Sequence, residues 1–238
     1  MSWIRNRLRN NTFVIKLYTL KLFWKRYFPM RKELGACGSN SHLEYPVCFE
    51  TRSNVFLEDN VRIRGGCHII NSPSEKVIIK KYSVLAPNCT IITNSHRSTV
   101  SVPHFLLGVS HINDKSCDII IEEDVWVGAN VTLLPGAHLG RGCIIGAGSV
   151  VSKPIPPYAL AVGSPAKVIQ KKFDLVDVLE HEKVLYREAD RLSETFLQEL
   201  YAKHFEGLKA YGTSEGIDDA ARERLAQLKK ATRFVEPY

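Results

Sequence analysis

The chain has 238 residues, 45% apolar and 24% charged, with a formal net charge of +7. That composition excludes a disordered or collagen-like chain and supplies enough apolar surface for a sizeable core without disulfide or metal staples. The basic excess is local: residues 1–34 hold nine Lys and Arg against Glu33 alone, a net +8 that leaves −1 for the other 204 residues. A body that tracks phosphates is thereby excluded, and with it a nucleic-acid partner.

In chain order, residues 1–40 form a basic amphipathic segment. Between residues 3 and 28, Trp3, Ile4, Leu8, Phe13, Ile15, Leu17, Leu20, Leu22, Phe23, Trp24 and Phe28 are interleaved with these bases. The pattern is that of a helix lying on an anionic membrane surface; the competing reading is a helix packed on the body with its bases solvated. Lys16 and Lys21 interrupt the apolar stretch and no A-x-A cleavage signature follows, against a signal peptide or a spanning helix. The expectation is a cytoplasmic protein, peripherally bound at the inner face of the membrane. Six widely spaced cysteines with no CxxC pair read as reduced thiols, and no metal is expected.

The body carries a period of six. Ile121, Val127, Leu133, Leu139, Ile145 and Val151 are all aliphatic, a run with a chance probability of roughly 1 in 4,000 at average composition. The same step appears at Leu57-Ile63-Ile69 and Ile79-Leu85-Ile91, with a four-residue slip around Asn71 to Glu75. Two residues before these positions stands a small or medium side chain, among them Val55, Val61, Cys67, Ser83, Cys89, Val125, Ala137, Cys143 and Ser149. Strand alternation makes this a second inward row, so the three cysteines in it read as core rather than as catalytic thiols. A hexad supplies one short strand and a turn, and three hexads close one triangular coil of a parallel β-helix. The prolines of Lys153-Pro154-Ile155-Pro156-Pro157-Tyr158 are expected to end it.

The stretches Val125-Trp126-Val127-Gly128-Ala129-Asn130, Pro135-Gly136, Gly146-Ala147-Gly148-Ser149-Val150-Val151 and Gly163-Ser164-Pro165-Ala166-Lys167 resemble the hexapeptide-repeat acyltransferases, nearest to galactoside, maltose and polysaccharide O-acetyltransferases and to xenobiotic acetyltransferases. The resemblance, from about residue 51 to 171, implies a left-handed parallel β-helix, a homotrimer, and acyl-CoA bound between subunits. It places the pantetheine arm near Trp126, Ala129 and Ala147, and the coenzyme phosphates near Lys153 and Lys167, with Lys171 and Lys172 close in sequence. Trp126 has a rival reading as a surface aromatic at a trimer seam, and the lysines as a solvated face.

The repeat halts after Ile92 and resumes at Ile119, so residues 93–118 form a loop longer than an ordinary connection. The resembling enzymes carry their catalytic histidine where the coil opens into such a loop, and here the chain reads Thr93-Asn94-Ser95-His96-Arg97. His96 is therefore the candidate general base, since an imidazole can take the proton of a hydroxyl and pass it to a leaving thiolate. Asn94, His104 and His111 are candidates to line the acceptor pocket. The oxyanion asparagine that the galactoside branch carries one coil earlier has no counterpart in Arg64-Gly65-Gly66-Cys67.

After Phe173 apolar residues recur at helical steps, predicting one helix of about 30 residues and a shorter one from Asp218 or Asp219 to Lys229 or Lys230. The expected organisation is a β-helix domain over 41–171 and a C-terminal helical extension over 172–238, which covers a β-helix edge or a neighbouring subunit. The function expected is acetyl-CoA-dependent O-acetylation of a sugar hydroxyl on a surface polysaccharide or its precursor. The alternatives are a xenobiotic acetyltransferase of the streptogramin or chloramphenicol type, a serine acetyltransferase, a zinc β-helix carbonic anhydrase using His96, His104 and His111, and a non-enzymatic scaffold.

Overall fold

In the computed structural model, which describes residues 12–213 and 216–234, short strands wind into a prism with three parallel faces. The first face stacks Ala36–Cys37, Val55–Leu57, Val77–Ile79, Ile119–Ile121 and His138–Leu139. The second stacks His42–Leu43, Arg62–Ile63, Val84–Leu85, Trp126–Val127, Ile144–Ile145 and Ala159–Val162. The third stacks Cys48–Phe49, His68–Ile70, Thr90–Ile92, Thr132–Leu133 and Val150–Val151. The predicted aliphatic rows are these ladders: Leu57 lies opposite Ile79, Ile79 opposite Ile121, and Ile121 opposite Leu139.

Both inward rows are buried, Val55, Val61, Cys67, Ser83, Cys89, Val125, Ala137, Cys143 and Ser149 included. The cysteines are core, as expected: the Cys67 and Cys89 thiols both donate to the Ala86 carbonyl, at 3.4 and 3.1 Å. Most of the turns bring a residue into the left-handed region immediately before the small inward side chain. Asn60, Asn88, Asp124 and Asn130 do this with φ between 57° and 63°, because their short polar side chains tolerate that conformation.

The first coil begins at Ala36. At the other end the prolines do not stop the coil. Ile155 N still donates to His138 O at 2.8 Å, and Ala159–Val162 adds a further parallel strand beside Ile144–Ile145. The prolines flank that donor position and leave it intact. Lys167–Lys171 then folds back antiparallel on Ala159–Val162 and closes the edge.

Five helices flank the prism among the described residues: α1 (Thr12–Tyr27), α2 (His104–Ser110), α3 (Leu175–Leu185), α4 (Glu194–His204) and α5 (Asp219–Ala231). Part of the predicted N-terminal amphipathic segment, with Trp3, Ile4 and Leu8, lies outside the described residues. The single 30-residue helix expected after Phe173 is instead α3 and α4. Between them Arg191 donates to the carbonyl of Tyr186 at 2.9 Å, Glu182 accepts from Leu192 N at 3.0 Å, and Ser193 opens α4 by accepting from Phe196 N at 3.2 Å. The α5 boundaries match the predicted ones, with Asp218 capping Ala221 N at 2.7 Å.

The C-terminal helices are latched to the prism by buried charge. Glu182, 1% exposed, accepts from Tyr158 Oη at 2.5 Å and from Arg141 at 3.0 Å. Arg141 also reaches Glu123 at 3.2 Å and lies 4.1 Å above the Tyr186 ring. Beside it Lys172 and His181 contact Asp124 at 2.6 and 3.2 Å.

Candidate active site

The edge between the third and first faces is where the coil departs from its repeat, twice. One coil below the insertion, the four-residue slip forms a bulge held by Asn71, which is buried and exchanges hydrogen bonds with the Thr51 backbone at 3.1 and 2.9 Å. Above it, Thr93 is buried and its backbone N–H donates to Ile70 O at 3.1 Å. The segment expected as an extended loop leaves from there as a hairpin. Asn94–Ser95 pairs antiparallel with Lys115–Ser116, and the tip carries α2.

This hairpin brings His96 and Asp114 face to face across its two legs. His96 Nδ1 lies 2.9 Å from one oxygen of Asp114, and His111 Nδ1 lies 2.9 Å from the other. The two imidazole centroids are 5.4 Å apart. The Asp114 side chain is 11% exposed, against 38% for His96 and 61% for His111. Hydrogen bonds from His111 and then His96 hold the Asp114 carboxyl below the usual carboxylate range. An ionised carboxylate only accepts, so it fixes the proton of neutral His96 on Nδ1 and leaves the Nε2 lone pair available. Nε2 has no hydrogen-bond partner among the described residues and points toward Gly108, where an added Cβ would stand 3.8 Å away.

Of the other expected acceptor residues, Asn94 sits in the hairpin strand opposite Ser116, while His104 turns away from the pair and contacts Ser98 Oγ at 3.2 Å. Asp114 was not legible as a functional residue. It lies 18 positions beyond His96, and only the fold of the hairpin makes them neighbours.

The residues expected at the coenzyme lie on a different edge, between the second and third faces. Ala129 and Ala147 stack one coil apart, with Gly148 N donating to Ala129 O at 2.8 Å. Gly128 is required where the coils meet, since a Cβ there would stand 2.6 Å from Ala147 N. Gly148 takes φ +72° with nothing within 4 Å, and Ala147 is exposed, so the edge is a strip of bare backbone. Trp126 projects from the second face between Val84 and Ile144 and is 50% exposed. Lys153 and Lys167 are exposed and have no acidic partner among the described residues. Lys171 and Lys172 do have partners: Lys171 pairs with Asp174 at 2.7 Å and Lys172 with Asp124 at 2.6 Å. Within one chain, His96 and the Ala129–Ala147 strip are not brought together, because the third face lies between their edges.

A family model described as bacterial transferase hexapeptide, six repeats, matches residues 118–153. Galactoside O-acetyltransferase of Escherichia coli K12 is 32% identical over 147 residues, 62% of this chain and 68% of that one. An Escherichia coli K12 protein provisionally named lipopolysaccharide biosynthesis O-acetyl transferase is 32% identical over 143 residues, 58% of this chain and 67% of its own length. Among solved structures, a galactoside acetyltransferase in complex with coenzyme A matches with a TM-score of 0.55 at 26% identity, over 74% of this chain and 87% of that one. That likeness fits the left-handed form of the parallel β-helix.

Proposed function

The chain belongs to the hexapeptide-repeat acetyltransferases, and from that premise we propose that it transfers the acetyl group of acetyl-CoA to a sugar hydroxyl of a surface polysaccharide or its precursor, with His96 as general base. The observation that carries this reading is the His96–Asp114 hydrogen bond at the mouth of the inserted hairpin. The sugar acceptor is supported by the relatives named for galactoside and lipopolysaccharide acetylation.

His96 Nε2 takes the proton of the acceptor hydroxyl as that oxygen bonds to the thioester carbonyl carbon. Asp114 holds the ring in orientation and stabilises the imidazolium that forms. When the tetrahedral intermediate collapses, the carbon–sulfur bond breaks and Nε2 returns the proton to the departing sulfur. The thioester supplies the activated acyl group, so the chain's residues have only to position it and manage one proton.

The bare strip at Ala129, Ala147 and Gly148 suits an extended pantetheine arm, with Trp126 beside it and Lys153 and Lys167 toward the phosphates. A homotrimer in which a neighbouring subunit brings this strip to His96 accounts for the separation of the two edges within one chain. The enzyme acts in the cytoplasm at the inner membrane face, held there by α1. No helix among the described residues is long and apolar enough to cross a membrane, and the exposed Leu17, Leu20, Phe23 and Trp24 beside Lys16, Lys21 and Lys25 suit the interface.

The test is thiol release from acetyl-CoA by the wild type and by His96→Ala against sugars, nucleotide sugars, serine, chloramphenicol and a streptogramin. Release with sugars that vanishes in the variant is the expected result. Release with chloramphenicol or a streptogramin alone would replace the sugar by a xenobiotic acceptor, and a flat panel with no coenzyme A binding would overturn the enzymatic reading.

A further inference from the structure

No step of the acetyl transfer described above runs through His111, yet His96, His111 and Asp114 each offer a metal-ligating atom and the three atoms lie within 4.8 Å of one another. We propose that these three side chains bind a single Zn2+ ion and that the ion switches the enzyme off. The switching rests on His96 being the base; the metal site does not.

Two imidazole nitrogens and one carboxylate are a donor set that zinc takes readily, with water in the fourth position. Tetrahedral bonds of about 2.0 to 2.2 Å place ligand atoms roughly 3.3 Å apart. The two nitrogens now stand 2.9 Å from separate oxygens of the one carboxylate and the three ligand atoms lie within 4.8 Å of one another, so the shifts needed to reach that spacing are within the reach of side-chain rotation. The frame is set by local structure: His96 and Asp114 adjoin the paired strands of one hairpin, and His111 ends α2 at a left-handed φ of 53°. The third histidine of the insertion, His104, is directed to Ser98 and supplies no ligand.

The consequence for catalysis follows from where the imidazole keeps its proton. While Nδ1 donates to Asp114, Nε2 is the acceptor. With zinc on Nδ1, a neutral ring carries its one proton on Nε2, which then donates and cannot take a proton from a hydroxyl. The Nδ1 proton relocates to Nε2 through solvent, with no oxidation and no net proton change in the ring. Zinc also occupies the carboxylate that would stabilise the imidazolium.

Equilibrium dialysis of the full chain against zinc chloride, with the visible absorption of the Co2+-loaded protein as a geometric check, reads the site directly. The expected result is one zinc per chain and a tetrahedral cobalt spectrum. His111→Ala and Asp114→Ala are each expected to lower zinc affinity by more than about tenfold, the least that loss of even an outer-shell partner costs, while His104→Ala keeps it. Wild-type acetyl transfer should fall over the same zinc concentrations and recover with chelator. Zinc binding below one equivalent, or binding indifferent to His111→Ala, would overturn the site. Stoichiometric binding with undiminished turnover would overturn the switch alone. Turnover that survives His96→Ala would sink the acetyl-transfer reading, and the switch with it, with the site still decided by dialysis.

Discussion

Asp114 Oδ1 lies 2.9 Å from His96 Nδ1 across the inserted hairpin, so the carboxylate selects the tautomer in which Nε2 is the base. His96→Ala should lower kcat by about 10²- to 10⁴-fold, the usual worth of a positioned general base. Asp114→Asn tests the tautomer itself. A carboxamide can donate to Nδ1 and stabilise the proton on Nε2, so turnover should fall steeply while KM for acetyl-CoA stays near the wild-type value. Asp114→Glu, which keeps an acceptor, should recover part of the loss. Equal loss in both variants, with KM rising in parallel, would make the residue a structural prop of the loop.

The prism was legible because its core follows a strict rule: every sixth side chain is aliphatic and the one two positions earlier is small, so Ile121, Leu139 and their neighbours announce the inward ladder. The break at Ile92 and the choice of His96 were legible for the same reason, since a departure from a strict period stands out. Asp114 and His111 were not, because within an insertion nothing fixes which residues meet until the hairpin pairs Asn94–Ser95 with Lys115–Ser116. The division into α3 and α4 was hidden too, since Leu185 and Leu192 keep helical spacing across a break imposed by tertiary bonds to Glu182. The ion pair of Lys172 is likewise hidden in the sequence, because Asp124, its partner, lies 48 residues away.

The Glu182 carboxylate accepts from Tyr158, Arg141 and the Leu192 amide inside a site closed to solvent. Glu182→Ala leaves the Tyr158 hydroxyl without its acceptor and Arg141 with Glu123 alone, so the cost should approach but stay below the about 3 to 5 kcal/mol of a buried charge left wholly unpaired. Denaturant unfolding of the variant should show this loss. Native-state hydrogen exchange should show it first in Leu175–Leu185 and Glu194–His204, with the coils from Val55 to Val151 protected. Uniform loss across the prism would mean that the latch and the coils form one cooperative unit.

Acid should open the same latch. Burial pushes the Asp124 carboxyl up, but the hydrogen bond from His181 and the charge of Lys172 outweigh it and hold the carboxyl below its ordinary range. Glu123 is lowered in the same way: its own backbone amide, Arg141 and Lys80 overcome its burial. A carboxyl with a depressed folded-state pKa contributes stability above its unfolded value, about 3.9 for Asp and 4.3 for Glu. That contribution is lost as pH falls through the folded-state value. Unfolding free energy should therefore decline below about pH 4, and the decline should be shallower in Asp124→Asn. An unchanged acid limb in that variant would assign the effect to other carboxyls.

Gly128 tests the coil contact beneath the proposed coenzyme strip. An added Cβ would stand 2.6 Å from Ala147 N and 2.8 Å from Ile145 O, both backbone atoms that cannot move aside alone. Gly128→Ala should cost about 1 to 3 kcal/mol by overpacking and raise KM for acetyl-CoA, because relief requires shifting the Ala147 turn. Gly148→Ala has open space and pays only for its φ of +72°. A larger effect on KM at Gly148 than at Gly128 would show that the arm lies directly over Gly148 and that the turn itself is not the determinant.

Helix α1 leaves Leu17, Tyr18, Leu20, Leu22, Phe23 and Trp24 exposed beside Lys16, Lys21 and Lys25. Its C-terminal end is anchored: Val47 N donates to Tyr27 O at 3.0 Å, and Phe28 stacks on Tyr45 at 5.3 Å. Residues 1–32 carry no acid, and the acids near α1 stand at its C-terminal end, where Glu50 lies 3.9 Å from Arg26, so Lys16 and Lys21 face an anionic lipid surface with no acid of their own helix beside them. A basic side chain near such a surface contributes about 1 kcal/mol. Replacing Lys16, Lys21 and Lys25 together by Gln should therefore weaken partitioning to phosphatidylserine-containing vesicles by on the order of a hundredfold, with phosphatidylcholine vesicles as the neutral reference. Because these residues lie away from the hairpin, turnover on a short soluble acceptor should be unchanged, while turnover on a vesicle-borne acceptor falls with the partitioning. Sedimentation of wild type and variant with both lipids separates the cases: equal binding to both lipids, insensitive to the three substitutions, would mean that the aromatic side chains act without the charges. No binding by the wild type would return α1 to the reading of a helix that packs against protein, with its bases solvated.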